Sequence, residues 1–357
     1  MFGRSEHGDG RLYAGRWRTL HLMMQVGAKN LITDVKGILV GNAHDEVMKT
    51  GVSVVSGPTA FTASYCVMGG APGTRETDLL APDKTVPEVD ALVLSGGSAF
   101  GVDAATGVVD QLRKAGRGFV AAGYSIPLVP AAILFDLSNG GDKNWSENPY
   151  PELGRRAYDA LDDHFDIGSV GAGFGAQCGM MKGGLGSASF TLSNGVTVGA
   201  LVAANPVGNP TDASGKYFWA APFEVDAEYG GFGAPKAGAH GQSLDQTKLG
   251  ALIARANTSI AIVATDAALS KAEAHRLSTV AHDGFARAIV PSHLPMDGDL
   301  IFAAATGNMP APKTLLEFSE ICHAASLCVA RAVARGVFHA SAHPGDRLKT
   351  YKELNGG

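Results

Sequence analysis

Asn257 and Thr258 stand directly before the apolar run Ser259-Ile260-Ala261-Ile262-Val263-Ala264, and Asp297-Gly298-Asp299 follows farther on. A threonine hydroxyl inside a chain is protonated at neutral pH and has no built-in base, so it is a poor nucleophile. Backbone scission before Thr258 changes that. The freed α-amino group, with a reference pKa of about 8, sits on the same residue as the hydroxyl and serves as its general base. Asn257-Thr258 therefore reads as a self-cleavage site, or else as a polar pair that ends a loop before a buried strand. Asp297 and Asp299, two residues apart on an extended segment, point the same way and so can both face the Thr258 amine. The same three residues also suit a surface turn.

The rest of the chain must hold these groups in place. With 357 residues, 45% hydrophobic and 18% charged, it buries a large core and forms one large domain or two ordinary ones. Glycine is unusual: 47 residues are nearly double the ordinary share of about 7%, without a Gly-X-Y period, so the glycines mark turns and close backbone approaches. A net charge of -5 offers no basic field for nucleic acid or anionic lipid, which leaves small molecules as the expected partners. Cys66, Cys178, Cys322 and Cys328 show no CxxC or His-rich zinc spacing. Free buried thiols in a reducing cytoplasm are the expectation, with no metal and no cofactor. No segment has the ~20 uninterrupted apolar residues of a membrane span. Residues 1–23, with Arg4, Arg11, Arg16 and Arg18 among scattered glycines, read as a disordered extension or an upstream start ahead of Met24.

Strand and helix signals then alternate. Lys29 to Gly41 reads as two short strands around Lys36-Gly37, Gly51 to Val55 as a strand, and Ala91 to Ser95 as one buried on both faces. The turn Gly96-Gly97-Ser98-Ala99-Phe100-Gly101 leads into a helix from Val102 to Ala115, closed by Gly116. It lacks the GxGxxG spacing of a dinucleotide site. Gly195 to Ala203 is a buried strand ending at Asn205-Pro206, and Asp212 to Leu249 reads as an exposed connection of low order. Ser270 to Glu273 is a capping box, Leu300 to Ala304 another strand, and Thr314 opens a buried helix to about Phe338. This rhythm suggests a layered α/β sandwich rather than a barrel.

Taken in order, Leu31-Ile-Thr-Asp-Val with Val40-Gly41, Gly69-Gly-Ala-Pro-Gly-Thr-Arg-Glu-Thr-Asp78, Leu94-Ser-Gly-Gly-Ser-Ala-Phe-Gly101, Lys182-Gly-Gly, Asn205-Pro-Val-Gly208, Asn257-Thr-Ser-Ile260 and Met296-Asp-Gly-Asp-Leu-Ile-Phe302 resemble one family. It is the self-processing family of L-aminopeptidase/D-esterases, β-peptidyl aminopeptidases and nylon-oligomer (6-aminohexanoate oligomer) hydrolases. The likeness spans about Leu31 to Phe338. It implies a four-layer αββα sandwich of the N-terminal-nucleophile-hydrolase type, a single domain over 24–357. It further implies autocleavage into an α fragment (24–257) and a β fragment (258–357), and assembly as a homotetramer.

Residue roles carried over by the resemblance are specific. Thr258 is the nucleophile of maturation and turnover; Asp297 and Asp299 match the acidic pair that orients it. Asn205 matches an oxyanion donor, and Lys182 a cation that lowers the amine's pKa. Phe135 departs from the pattern, standing where a tyrosine hydroxyl often helps hold the oxyanion. Gly97 and Ser98 supply backbone donors or line the substrate site. The implied activity is release of a small N-terminal residue from short peptides or amides through an acyl-enzyme on Thr258. Acyl transfer of the ornithine acetyltransferase type and a non-catalytic, unprocessed binding protein are the alternatives.

Overall fold

The computed structural model describes residues 24–236, 244, 247–248 and 257–356. The extension expected over 1–23 lies outside these residues. In chain order the first strands are β1 (Gln25–Val26), β2 (Leu39–Asp45), β3 (Thr50–Val67), β4 (Thr74–Arg75), β5 (Glu88–Ser95), β6 (Phe119–Ala121) and β7 (Tyr124–Ile126). They continue with β8 (Ala131–Ile133), β9 (Gln177–Cys178), β10 (Met181–Lys182), β11 (Gly184–Thr191), β12 (Thr197–Ala204), β13 (Ile260–Ala267) and β14 (Leu300–Met309). The helices are α1 (Ala104–Lys114), α2 (Tyr150–Asp159), α3 (Lys271–Ala288), α4 (Leu315–Phe338) and α5 (Tyr351–Asn355).

Nine strands pair in the order β1-β11-β12-β13-β14-β3-β5-β8-β4, and β2 joins beside β3. β3 turns this single hydrogen-bonded path into two leaves. Thr62 to Val67 pair with β14 and Thr50 to Ser56 with β2, while the register against β5 is broken between Ser56 and Phe61. Pro58 falls in that break, where a missing N–H costs no ladder bond.

Side-chain alternation along the strands then builds three cores. Ala261 and Val263 of β13 face α3 and α4, packing with Leu277, Phe285 and Val329. Ile260, Ile262 and Ala264 face the other way, against Leu92, Leu94, Leu201 and Phe302 between the leaves. Val52, Val54 and Val93 pack on Val108, Leu112 and Leu153 of α1 and α2. Three interlayer cores make four layers, the αββα sandwich the resemblance implied.

Helix ends follow the sequence signals. Ser270 and Glu273 form a reciprocal capping box on α3, and Thr314 accepts the Glu317 N–H at the start of α4. α4 is long and apolar enough to cross a membrane, but 83% of its apolar window is buried inside the protein.

Three expectations need correction. The first of the two strands expected between Lys29 and Gly41 is a 3-10 turn over Ile32–Asp34, because Asp34 accepts the N–H groups of Lys29 and Leu31 and Ile32 N–H goes to Ser187 Oγ. The helix expected from Val102 begins at Ala104, after a 3-10 stretch Ser98–Asp103; Gly116 does close it at φ +69. The stretch from Asp212 is not a loose connection: Tyr229 is buried with its hydroxyl on Ala220 O, and Glu228 is clasped by Arg331 and Arg335. The part of that stretch from 237 to 249, save 244 and 247–248, lies outside the described residues.

Candidate active site

β13 and β14 run parallel and adjacent, joined through α3, so the residues before each strand emerge side by side at one end of the leaf. That topology brings two segments forty residues apart together: Asn257 bridges Asp297 in parallel just ahead of the two strands. Ser259 N–H donates to Asp299 Oδ1 at 2.9 Å, and Leu300 N–H to Ser259 O at 3.2 Å. Thr258 is buried, as are Asn257, Asp297 and Asp299.

The Asn257 carbonyl oxygen receives two donors. Gly298 N–H lies 2.8 Å from it and the Thr258 hydroxyl 2.5 Å. Thr258 N–H in turn donates to Asn205 O at 3.2 Å. The peptide bond between Asn257 and Thr258 is thus held on its oxygen by one N–H and at its nitrogen by one carbonyl, with the hydroxyl folded back onto the carbonyl it would attack. Gly298 is required to be small here: a Cβ would stand 2.6 Å from Thr258 Oγ1 and 2.5 Å from Ala71 O.

The acidic pair is not a surface turn. Asp297 accepts Val207 N–H at 2.9 Å and Leu294 N–H at 3.1 Å; Asp299 Oδ2 accepts His293 N–H at 3.1 Å and faces its Nδ1 at 2.9 Å. Burial, reinforced by the charge of Asp299, pushes the Asp297 carboxyl well above the usual carboxylate range. Asp299 thus reaches Ser259, the residue after Thr258, while the Asp297 carboxylate is held on Val207 and Leu294; neither carboxylate meets the Thr258 hydroxyl.

Both ends of the Asn205 amide are engaged. Its Nδ2 donates to Phe135 O at 3.0 Å, and its Oδ1 accepts Gln177 N–H at 2.9 Å and the Lys248 ammonium at 3.3 Å. The Asn205 amide therefore holds Phe135 by its backbone instead of donating to Asn257 O, where Gly298 N–H stands. Lys182 pairs with Gln177 across β9 and β10, one step from Asn205, but its ammonium goes to Asp346 at 2.5 Å, shared with Lys49 at 2.7 Å. The cation next to Asn205 is Lys248. The glycine turn also differs from expectation: Gly97 N–H is spent on Asp136 Oδ1 at 2.8 Å and Ser98 N–H on Leu134 O at 2.9 Å. Neither backbone donor is open to a ligand.

Sequence reasoning missed three residues that the fold packs around Thr258. Gly298 was visible only as the spacer between two aspartates. His293, at φ +58, and Lys248 sit in no motif, and nothing short of the fold connects them to Thr258. Among the described residues no three His, Cys, Asp or Glu side chains cluster as a metal site would require.

A buried threonine thus stands at the head of a strand in an αββα sandwich, its preceding carbonyl polarised by a backbone N–H. Two solved structures share that fold. A β-aminopeptidase from Burkholderia sp. superposes with a TM-score of 0.66 over 94% of each chain at 21% identity. The L-aminopeptidase D-Ala-esterase/amidase of Ochrobactrum anthropi gives 0.67 at 20% identity over 95% of this chain and 96% of that one. The model of Peptidase family S58 matches residues 30–350, and the chain belongs to that family. It is a hydrolase of peptide or amide bonds. An uncharacterized aminopeptidase of Mycobacterium tuberculosis is 40% identical over 344 residues, covering 91% of this chain and 98% of that protein. The 6-aminohexanoate-oligomer endohydrolase of Paenarthrobacter ureafaciens is 28% identical over 296 residues, 81% of this chain and 78% of that protein.

Proposed function

We propose that the chain is an autoprocessing N-terminal-threonine hydrolase of the aminopeptidase type. It releases small N-terminal residues, L- or β-amino acids, from short peptides, or cleaves linear aminohexanoate oligomers. The observation that carries this reading is the double donation to Asn257 O by Gly298 N–H and the Thr258 hydroxyl.

In maturation Thr258 Oγ1 adds to the Asn257 carbonyl carbon while Gly298 N–H receives the developing oxyanion. The bond from that carbon to Thr258 N breaks as the hydroxyl proton passes to the departing nitrogen, leaving an ester. Water then cleaves the ester, giving the Asn257 carboxylate and a free Thr258 amine. In turnover the amine takes the proton from Oγ1 as it attacks the substrate carbonyl, the substrate's amine leaves with that proton, and water resolves the acyl ester. Asp299, through Ser259 N–H, fixes the backbone just after the nucleophile, and Asp297, through Val207 N–H, fixes the 205–208 stretch whose Asn205 carbonyl accepts Thr258 N–H. Phe135 has no hydroxyl to offer an oxyanion, so backbone donation from Gly298 takes that part.

The relatives named as aminopeptidases and as a 6-aminohexanoate-oligomer endohydrolase support the substrate class. Homotetramer formation belongs to the same reading and accords with the exposed apolar hairpin β6–β7, which presents Val120 and Tyr124. Intact-mass measurement of the purified protein tests the proposal. A fragment beginning at Thr258, together with hydrolysis of aminoacyl amides, is expected; a single chain that stays uncut and inactive for days overturns it.

A further inference from the structure

Lys248 lies nine residues ahead of the scissile bond and is 4% exposed. Its main-chain N–H donates to Val207 O at 3.2 Å, and its ammonium to Asn205 O at 3.1 Å and Asn205 Oδ1 at 3.3 Å. Main chain and side chain thus grip the same Asn205-Pro-Val stretch. Among the described residues the ammonium has no ion-pair partner, and burying such a charge on neutral acceptors is costly. Burial lowers its pKa to about 8. A costly, unpaired cation next to a reactive bond calls for a role in that bond's chemistry.

The shared acceptor supplies the role. Asn205 O is also the acceptor of Thr258 N–H, the nitrogen that must leave when the chain is cut. An ammonium on that oxygen fixes the carbonyl, and through it the Thr258 amide, while Gly298 holds the carbonyl oxygen on the other side. After scission the Thr258 nitrogen is itself an amine that gains a proton near pH 8. Two ammonium groups on one carbonyl repel each other, so the cut weakens the grip of Lys248.

We propose, on the self-cleavage reading above, that Lys248 is a positioning residue of the uncut chain: it clamps the Asn205 carbonyl that orients the scissile amide and serves maturation rather than turnover.

The test follows cleavage of the full chain by intact mass after a pulse of cell-free synthesis, for wild type, Lys248→Met and Lys248→Arg. Lys248→Met slows appearance of the Thr258 fragment at least tenfold, and Lys248→Arg, which keeps the charge, recovers most of the rate. Once cut, Lys248→Met chains hydrolyse an aminoacyl anilide with kcat within about threefold of wild type, a split that lost packing does not produce. Melting of Lys248→Met in a Thr258→Ala background, which no cut can confuse, stays within about 5 °C of Thr258→Ala alone. Cleavage of Lys248→Met at the wild-type rate, no rescue by arginine, a kcat loss as large as the processing loss, or a collapsed melting temperature overturns the proposal. A wild-type chain that never cuts overturns the self-cleavage reading itself, an outcome distinct from a wild type that cuts alongside an equally fast Lys248→Met.

Discussion

Two buried charge clusters in this molecule are built on opposite rules. At one, Arg331 is wholly buried, its Nε 2.6 Å and Nη2 2.8 Å from the two Glu228 carboxylate oxygens; its other donors reach Ser189 O and Asn30 Oδ1, and Arg335 adds a second cation at 3.3 Å. At the other, Asp297 and Asp299 are equally buried but hold mostly backbone N–H groups, and the nearest cation, Lys248, rests on neutral oxygens. The arginine cluster sets two guanidinium groups on one carboxylate and ties β1's flank, the 212–236 stretch and α4 together. In the aspartate cluster burial, reinforced by the charge of Asp299, raises the Asp297 pKa, and burial lowers that of Lys248. On the proposed function, the paired cluster serves structure and the unpaired one serves the reaction.

The sharpest test of that contrast is Thr258→Ala, which removes the proposed nucleophile without touching either cluster. It leaves an intact precursor and lowers amide hydrolysis by at least about 10³, as loss of a nucleophile does; the same two fragments appearing by mass would break the assignment. Arg331→Met should do the reverse. It leaves Glu228 with Arg335 as its remaining cation and costs about 3 kcal/mol of stability in a denaturant melt, while kcat per folded molecule holds. A large kcat loss at unchanged stability would dissolve the distinction between the clusters.

Gly298→Ala comes next. Its Cβ would crowd Thr258 Oγ1 and Ala71 O, displacing the N–H that meets the oxyanion, so processing should slow by about 10²–10³. Wild-type processing kinetics in this variant would remove Gly298 from the mechanism.

His282 offers a milder comparison. Its Nε2 faces Cys66 O at 3.0 Å, and burial depresses its pKa to about 4. The unfolded chain, with an ordinary histidine pKa, takes up the proton first. Stability therefore falls as the pH drops from about 6.5 toward 4, by about 1.4 kcal/mol per pH unit across that window. The raised Asp297 carboxyl acts in the opposite sense, losing stability as the pH rises from the carboxylate range through its own elevated pKa. His282→Gln should flatten the acid side of a melting-temperature profile, and an unaltered slope would assign the acid sensitivity elsewhere.

The smallest effect is expected at Lys182. Committed to Asp346, it belongs with the paired charges, so Lys182→Met should reduce turnover by no more than about tenfold. A loss comparable to Thr258→Ala would show that Lys182 acts directly on the nucleophile, and would place it with the unpaired set.

Legibility in the sequence followed the range of the interactions. The capping boxes at Ser270 and the Thr314 cap depend on residues three apart, and they were readable without a fold. The apolar run Ile260-Ala-Ile-Val-Ala and the glycine closing α1 at Gly116 were equally local. The strand expected near Ile32 was not, because Ser187 from a distant strand takes the Ile32 N–H. The Asp212 stretch read as loose because its composition is polar, yet Glu228 is fixed by arginines about a hundred residues away.

The sequence by itself determined the chemistry available: a threonine after an asparagine, two aspartates flanking a glycine, an asparagine before proline, and a periodicity that dictates stacked α and β layers. Tertiary structure alone decided which of these groups meet. Parallel pairing of β13 with β14 sets Asn257 beside Asp297 and turns Gly298 from a spacer into a donor. Packing of the 205–208 stretch against Lys248 supplies the neighbouring cation, while Lys182 is drawn off to Asp346. The reason is physical: residue type fixes what a group can donate, accept or attack, but distance and burial fix its pKa and its partner, and those are properties of the folded chain.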